Sequence, residues 1–223
     1  MKITQHFFIT GTDTNVGKTY ISVGLLKAFA SLGYSTLGIK PIASGCTHNE
    51  QQLLRSEDAL ALQAASSVKL DYSAINLFAF EPPIAPHIAA ARINKPLTLK
   101  NILHHIQPVL NYPAEIIIVE GVGGWYVPLN HQETMADLII ALQLPVILVV
   151  GIRLGCLNHA LLTHQAIRNS GLLLAGWVAN CATLESEETL EMVNTLQQWL
   201  VAPCLGVIQY GEAPELKLQI TIF

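Results

Sequence analysis

The chain has 223 residues, 51% of them apolar and 13% charged, with a formal charge of −4. That length allows one domain with a full hydrophobic core, and so few charges suit a sheet covered on both faces or a subunit that also buries surface against a partner. A negative charge without any Lys/Arg run excludes the electrostatic footprint of a nucleic-acid binder.

In chain order, the first residues run directly into an apolar segment, 7–10, which reads as a strand. No secretory leader is visible, so a soluble, cytoplasmic protein is expected. Next comes Gly11-Thr12-Asp13-Thr14-Asn15-Val16-Gly17-Lys18-Thr19, between that strand and a helix predicted at 18–32 that Gly33 stops. A loop in this context is a phosphate cradle. Its backbone N–H groups converge on phosphate oxygens, and the helix N-terminus adds its positive end. Lys18 supplies a charge for the β- and γ-phosphates, and the Thr19 hydroxyl is a ligand for Mg²⁺. The spacing is unusual, because Thr12 stands where the usual pattern has its first glycine, and glycine comes one place earlier at Gly11.

A second strand at 36–39 ends in Lys40-Pro41, with Ser44-Gly45 just beyond. In open α/β sheets ligands sit outside the carboxyl ends of the strands, which places Lys40 at the rim beside the cradle. Taken alone, a surface lysine paired with a carboxylate is the plainer reading. A helix predicted at 57–65 begins Glu57-Asp58, and the residues themselves do not choose Asp58 over Glu57 as a metal ligand rather than a capping acid. The proline-rich stretch 81–87 reads as an ordered loop, followed by a helix at 99–110. His104 and His105 on that helix cannot point the same way, which argues against a chelate.

The strand at 116–119 is followed by Glu120-Gly121-Val122-Gly123-Gly124-Trp125. An acid at the end of an apolar strand in a phosphate-binding domain takes the place of the Mg²⁺-holding carboxylate. The glycines allow close backbone approach to phosphates. After a helix at 135–142, the most apolar stretch, 144–152, contains a strand at 146–150; it falls short of the roughly 20 residues of a membrane-spanning helix. Gly155 precedes a helix at 158–170 that Gly171 stops. This junction reads equally as a second anion site or as a plain turn. A strand at 174–179 leads to Asn180, whose amide matches a purine edge or simply satisfies a turn. A helix at 185–200 and a short strand at 204–208 complete the series. The cysteines, Cys46, Cys156, Cys181 and Cys204, lack metal-ligand spacing and read as small buried thiols.

Alternating strands and helices of this kind predict a single α/β domain, doubly wound, with a mostly parallel sheet and helices on both faces.

Several stretches, from Gly11 to about residue 208, resemble the dethiobiotin synthetase family. They are Gly11 to Thr19, Lys40-Pro41 with Ala43-Ser44-Gly45, Asp58-Ala59-Leu60-Ala61-Leu62, Val119-Glu120-Gly121 with Gly123-Gly124-Trp125, Gly155-Cys156 with Asn158-His159-Ala160, and Ala175 to Asn180. The resemblance implies a P-loop NTPase-like fold of about seven strands, a homodimer, and an ATP- and Mg²⁺-dependent ring closure of 7,8-diaminopelargonate with CO₂. It implies catalytic roles for Lys40, Lys18 and Thr14, and Mg²⁺ on Thr19, Asp58 and Glu120. ATP would meet Asn15, Val16, Gly17, Lys18, Thr19, Tyr20, Asp58, Glu120, Gly121, Val122 and Gly123, with Asn180, Cys181, Gln209, Tyr210, Gly211 and Glu215 further along. The substrate would meet Lys40 and Ser44, and Gly155, Cys156, Leu157 and Asn158 of the other subunit. The chain departs from the family pattern at Asn15, where relatives often carry an acid, and at 206–211, where Ile-Pro is frequent.

Overall fold

The computed structural model describes residues 4–181 and 186–219. The first half of the chain forms β1 (Gln5–Gly11), α1 (Lys18–Ser31), β2 (Thr36–Ile39), β3 (Ile42–Ser44), β4 (Thr47–His48), β5 (Leu54–Arg55), α2 (Glu57–Ala65), α3 (Tyr72–Ile75), β6 (Phe78–Phe80), α4 (Pro86–Arg92) and α5 (Leu99–Leu110). Then come β7 (Ile116–Gly124), α6 (Met135–Leu142), β8 (Val146–Ile152), α7 (Cys156–Asn169), β9 (Leu174–Cys181), α8 (Glu187–Trp199), β10 (Cys204–Ile208) and a 3₁₀ turn at Pro214–Leu216.

Six strands make one parallel sheet in the order β10-β9-β8-β1-β7-β2. The strands are apolar on both faces because both are covered. Phe7 and Ile9 of β1, Ile116 and Ile118 of β7, and Ile147 and Val149 of β8 pack with Ile21, Leu25 and Phe29 of α1. The alternate residues Phe8, Ile117, Val119, Leu148 and Val150 face the opposite layer, which includes Ile102, Ile139 and Ala160. This is the strand period of two read from within a continuous apolar run.

The six strands read from the residues are the six of this sheet, one fewer than the resemblance implies, and β2 ends at Pro41. Lys40 directs its N–H to the Ile75 carbonyl, 2.9 Å away, and the Pro41 carbonyl accepts from Leu77 and Phe78. Proline contributes no donor to continue the β2–β7 ladder. The chain leaves the sheet there, and β3 instead pairs in parallel with β6 as a separate two-stranded unit.

The helices predicted at 57–65, 99–110 and 135–142 form with those limits, each opened by a capping side chain. Ser56 accepts from the Ala59 N–H, Thr98 from that of Asn101, and Thr134 forms a reciprocal capping box with Asp137. Several boundaries differ from expectation by a residue or two at strand and helix ends, as β1, β8 and β9 do by extending beyond the expected 7–10, 146–150 and 174–179, and others bear on the site. The strand expected at 116–119 runs on to Gly124, so Glu120 lies within it. The helix expected from 158 opens at Cys156, because Gly155 adopts a left-handed φ of 93° and turns the chain without a side-chain cap. The loop expected at 81–87 becomes α4 at Pro86, a residue pre-set for the first helical position. The helix expected from 185 is seen from Glu187, and residue 185 lies outside the described residues.

Outgoing connections from the neighbours β1 and β8 run toward opposite edges of the sheet. Ligands of such sheets sit beyond the carboxyl ends at that reversal. Among the described residues, no helix is long and apolar enough to cross a membrane.

Candidate active site

At that place the β1–α1 loop is held in one shape. Gly17 has a φ of 87°, and a Cβ there would stand 2.1 Å from the Asn180 side-chain nitrogen, so glycine alone fits. Asn180, near the end of β9, donates its amide to the Val16 carbonyl at 2.9 Å. Its first task in the structure is therefore to clasp the loop. Asn15 has a φ of 59°, a left-handed conformation that asparagine tolerates better than most residues. Lys18, 7% exposed, donates to the Asp13 carbonyl at 3.0 Å. Asp13 accepts from the Thr14 N–H and from Arg153, which lies beyond β8, each at 2.7 Å.

Beside the loop, three more segments converge. Lys40, carried past the end of β2, is 4% exposed. Its ammonium lies 2.5 Å from Glu120 Oε1 on β7 and 2.9 Å from Asp58 Oδ2 in the first turn of α2. Thr19 donates its hydroxyl to the same Glu120 Oε1 at 2.7 Å. The other Glu120 oxygen and the Ser44 hydroxyl oxygen are buried with no hydrogen-bond partner among the described residues. Geometry also separates the two acids of α2, since Asp58 meets Lys40 whereas Glu57 is exposed.

The electrostatics follow from this packing. Burial would depress Lys40, yet the Glu120 and Asp58 carboxylates outweigh it and hold the amine above its ordinary value. Burial opposes ionisation of Asp58 as well, and the Lys40 ammonium overcomes it to lower the carboxyl. Lys18 goes the other way: burial, then the like charge of Lys40, bring it down to about 8.

Thr14, Asn15, Gly17, Lys18, Thr19, Tyr20, Lys40, Ser44, Asp58, Glu120, Val122 and Gly123 line one cleft of about 790 Å³. Val16 and Gly121 are buried behind it. The remaining residues singled out in the sequence lie elsewhere. Cys181, Gln209, Tyr210 and Gly211 sit at the ends of β9 and β10. Glu215 pairs with Lys27 of α1 at 3.1 Å, and the turn that carries it packs Pro214 against Gly24. Gly155, Cys156, Leu157 and Asn158 form the start of α7 and do not line the cleft of their own chain. Sequence reasoning missed further lining residues, Pro83, Ile84, Ala85, Pro86 and Val127. The signal for part of this set was present, since Pro86 marks a helix start.

The donor set is made of a hydroxyl, two carboxylates and two ammonium groups. It suits a polyanion with a small hard cation, which prefers oxygen ligands. The unpartnered buried oxygen of Glu120 is the atom that such a cation would satisfy.

Comparison with known proteins gives matching results. A family model described as an AAA domain matches residues 5–215. The ATP-dependent dethiobiotin synthetase BioD of Cellvibrio japonicus is 52% identical over 202 residues, covering 91% of this chain and 88% of the relative. The protein of that name from Xanthomonas euvesicatoria is 48% identical over 96% of both chains. BioD 1 of Escherichia coli is 45% identical over 96% of this chain and 94% of its own. Among solved structures, the septum site-determining protein MinD of Pyrococcus horikoshii superposes with a TM-score of 0.58 at 16% identity, covering 93% of this chain and 82% of MinD. MinD of Aquifex aeolicus gives 0.55 at 15% identity, over 92% of this chain and 81% of its own. At such identities these structures speak for the fold.

Proposed function

We propose the following from one premise: the chain belongs to the family of ATP-dependent dethiobiotin synthetases. The protein is an ATP-dependent ligase of biotin biosynthesis acting on small molecules. Its substrates are 7,8-diaminopelargonate and CO₂, and its products are dethiobiotin, ADP and phosphate. One amine of the substrate adds to CO₂ and loses a proton, giving a carbamate. A carbamate oxygen then attacks the γ-phosphorus of ATP, and ADP leaves. The second amine attacks the carbamoyl carbon of the resulting mixed anhydride, phosphate departs, and the cyclic urea is closed.

The chain's own residues serve these steps by position and charge, which is most of what phosphoryl transfer requires. The loop 11–19 cradles the phosphates with its N–H groups, and Lys18 follows the transferring phosphoryl group. Phosphate beside Lys18 restores the full charge that burial and Lys40 weaken. Lys40, held cationic by its carboxylate neighbours, receives the new negative charge of the carbamate. Thr14 and Ser44, which line the same cleft, orient the substrate. Thr19, Asp58 and Glu120 would hold Mg²⁺, which neutralises charge on the phosphoryl oxygens when bound. Asn180, which clasps the loop, would meet the nucleoside together with Cys181, Gln209, Tyr210, Gly211 and Glu215.

Gly155–Asn158 do not line the cleft of their own chain. In a homodimer, their N–H groups would reach the distal carboxylate of a substrate bound to the other copy. The protein works as one α/β domain, in the cytoplasm.

One observation carries this reading: Lys18, Thr19, Lys40, Asp58 and Glu120, brought from four separate segments, meet within hydrogen-bonding distance or line one cleft. The test is ADP release measured with and without diaminopelargonate and bicarbonate. Release that needs both is expected. Turnover independent of both would assign the cleft to a regulatory ATPase instead.

A further inference from the structure

Lys40 and Asp58 reach each other from different elements, and the backbone of Lys40 is joined to that of Ser56, two residues before Asp58, by a hydrogen-bond relay outside the cleft. Ser56, the residue that caps α2, donates its N–H to the Tyr72 hydroxyl at 2.7 Å. Tyr72 donates onward to Asn76 Oδ1 at 3.1 Å, and the Asn76 amide donates to the Lys40 carbonyl at 2.7 Å. Every donor has one acceptor, and the direction is the same throughout. Ser56 and Asn76 are each 5% exposed, so the groups along the relay have little water to turn to if a link is lost. Lys40 also gives its N–H to the Ile75 carbonyl at 2.9 Å, which holds its peptide at both ends to the segment that begins with Tyr72. Arg55 stacks its guanidinium 4.2 Å from the centre of the Tyr72 ring and steadies that side chain from the other side.

We infer that Tyr72 and Asn76 are positioning residues for the reaction, fixing the distance between the α2 terminus that presents Asp58 and the peptide that presents Lys40. The inference rests on the reading of Asp58 as a Mg²⁺ ligand and of Lys40 as the carbamate-holding cation. The observation behind it is that the 2.9 Å side-chain contact joins α2 to the residue after β2, and that the relay is a strut tying the N-terminal end of α2, next to Asp58, to the Lys40 peptide, whereas the tie from the Gly38 N–H to the Ser66 hydroxyl holds the far end of α2. Groups that orient metal ligands without touching the metal contribute about 10–100-fold to affinity or activity.

The test is Tyr72→Phe, which keeps the ring against Arg55 and deletes the hydroxyl, together with Asn76→Ala. For each variant the Mg²⁺ dependence of ADP release is titrated, and Mn²⁺ binding in the presence of ADP is followed by the electron-spin signal of free Mn²⁺. The expected result is a rise of about 10-fold in the metal concentration at half-saturation, with the KM for ATP at saturating metal unchanged. The double variant should be little worse than either single one, because both break the same strut. A cooperative melt with metal half-saturation within about twofold of the parent protein would overturn the inference. If Tyr72→Phe does not fold, Asn76→Ala decides by the same criterion. Parent turnover that needs no divalent cation would instead overturn the functional reading, and this inference with it.

Discussion

Replacing Glu120 by glutamine tests whether the buried charges hold Lys40. Glu120 is 1% exposed, and its Oε1 accepts from Lys40 at 2.5 Å and from Thr19 at 2.7 Å. Glutamine keeps the shape and one acceptor oxygen but removes the charge. Among the described residues, Asp58 is then the carboxylate left within ion-pair distance of Lys40, and its side chain is 48% exposed and screened by water. Lys18 offers no help, being of the same sign. Removing one partner of a buried pair costs about 3–5 kcal/mol, and the retained oxygen and Asp58 place this case near the lower end, at about 3 kcal/mol. For a chain of this size, 1 kcal/mol moves the melting temperature by about 2–4 °C, so Glu120→Gln should lower it by about 6–12 °C. The assay is a thermal melt at pH 7.5 without metal or nucleotide. A variant melting within about 2 °C of the parent, or above it, would refute the reasoning by showing that Lys40 does not depend on the Glu120 charge.

Other outcomes follow from the same geometry. Lys18→Ala should reduce turnover on the order of 10³-fold while the fold persists; near-normal turnover, measured by coupled ADP detection, would contradict its role. Gly17→Ala forces a residue with a Cβ to a φ of 87° against the Asn180 amide, and calorimetry should show ADP binding largely lost. His164 on α7 is 5% exposed, and burial, followed by the Arg168 charge, lowers it below 6.5. The unfolded chain therefore takes the proton more readily, so stability is complete above about pH 6.5 and falls as the pH drops toward the folded value. His164→Leu should flatten that loss, read as the difference in urea midpoint between pH 7.5 and pH 5.5; an undiminished difference would contradict the assignment.

Much of the architecture could be read along the chain because its signals are local. The helices at 57–65, 99–110 and 135–142 are opened by Ser56, Thr98 and Thr134, each capping an N–H only three residues along. Continuous β-branched runs mark strands covered on both faces. The failures share a cause, which is dependence on distant partners. The separate β3–β6 pair joins segments of three residues each, too short for either to show a period. Glu120 lies inside β7 because Gly124 still pairs with Gly11, a register that no single segment encodes. At the site, the loop 11–19 was recognisable from its context, but the burial of Lys40 was not. An isolated lysine after a strand reads as a surface residue until Glu120 and Asp58 are brought beside it. The same arrival singles out Asp58 from Glu57. Residues 83–86 gave no polar signal, and their place in the cleft wall depends on where β6 pairs.

We propose that a carbamate oxygen is phosphorylated in the cleft lined by Lys18, Lys40, Asp58 and Glu120. That claim is tested most directly by running the reaction with ¹⁸O-labelled bicarbonate and analysing both products by mass spectrometry. A single labelled oxygen should pass to the released phosphate while another stays in the ureido carbonyl of the product. Phosphate free of the label, with ring closure proceeding normally, would contradict it.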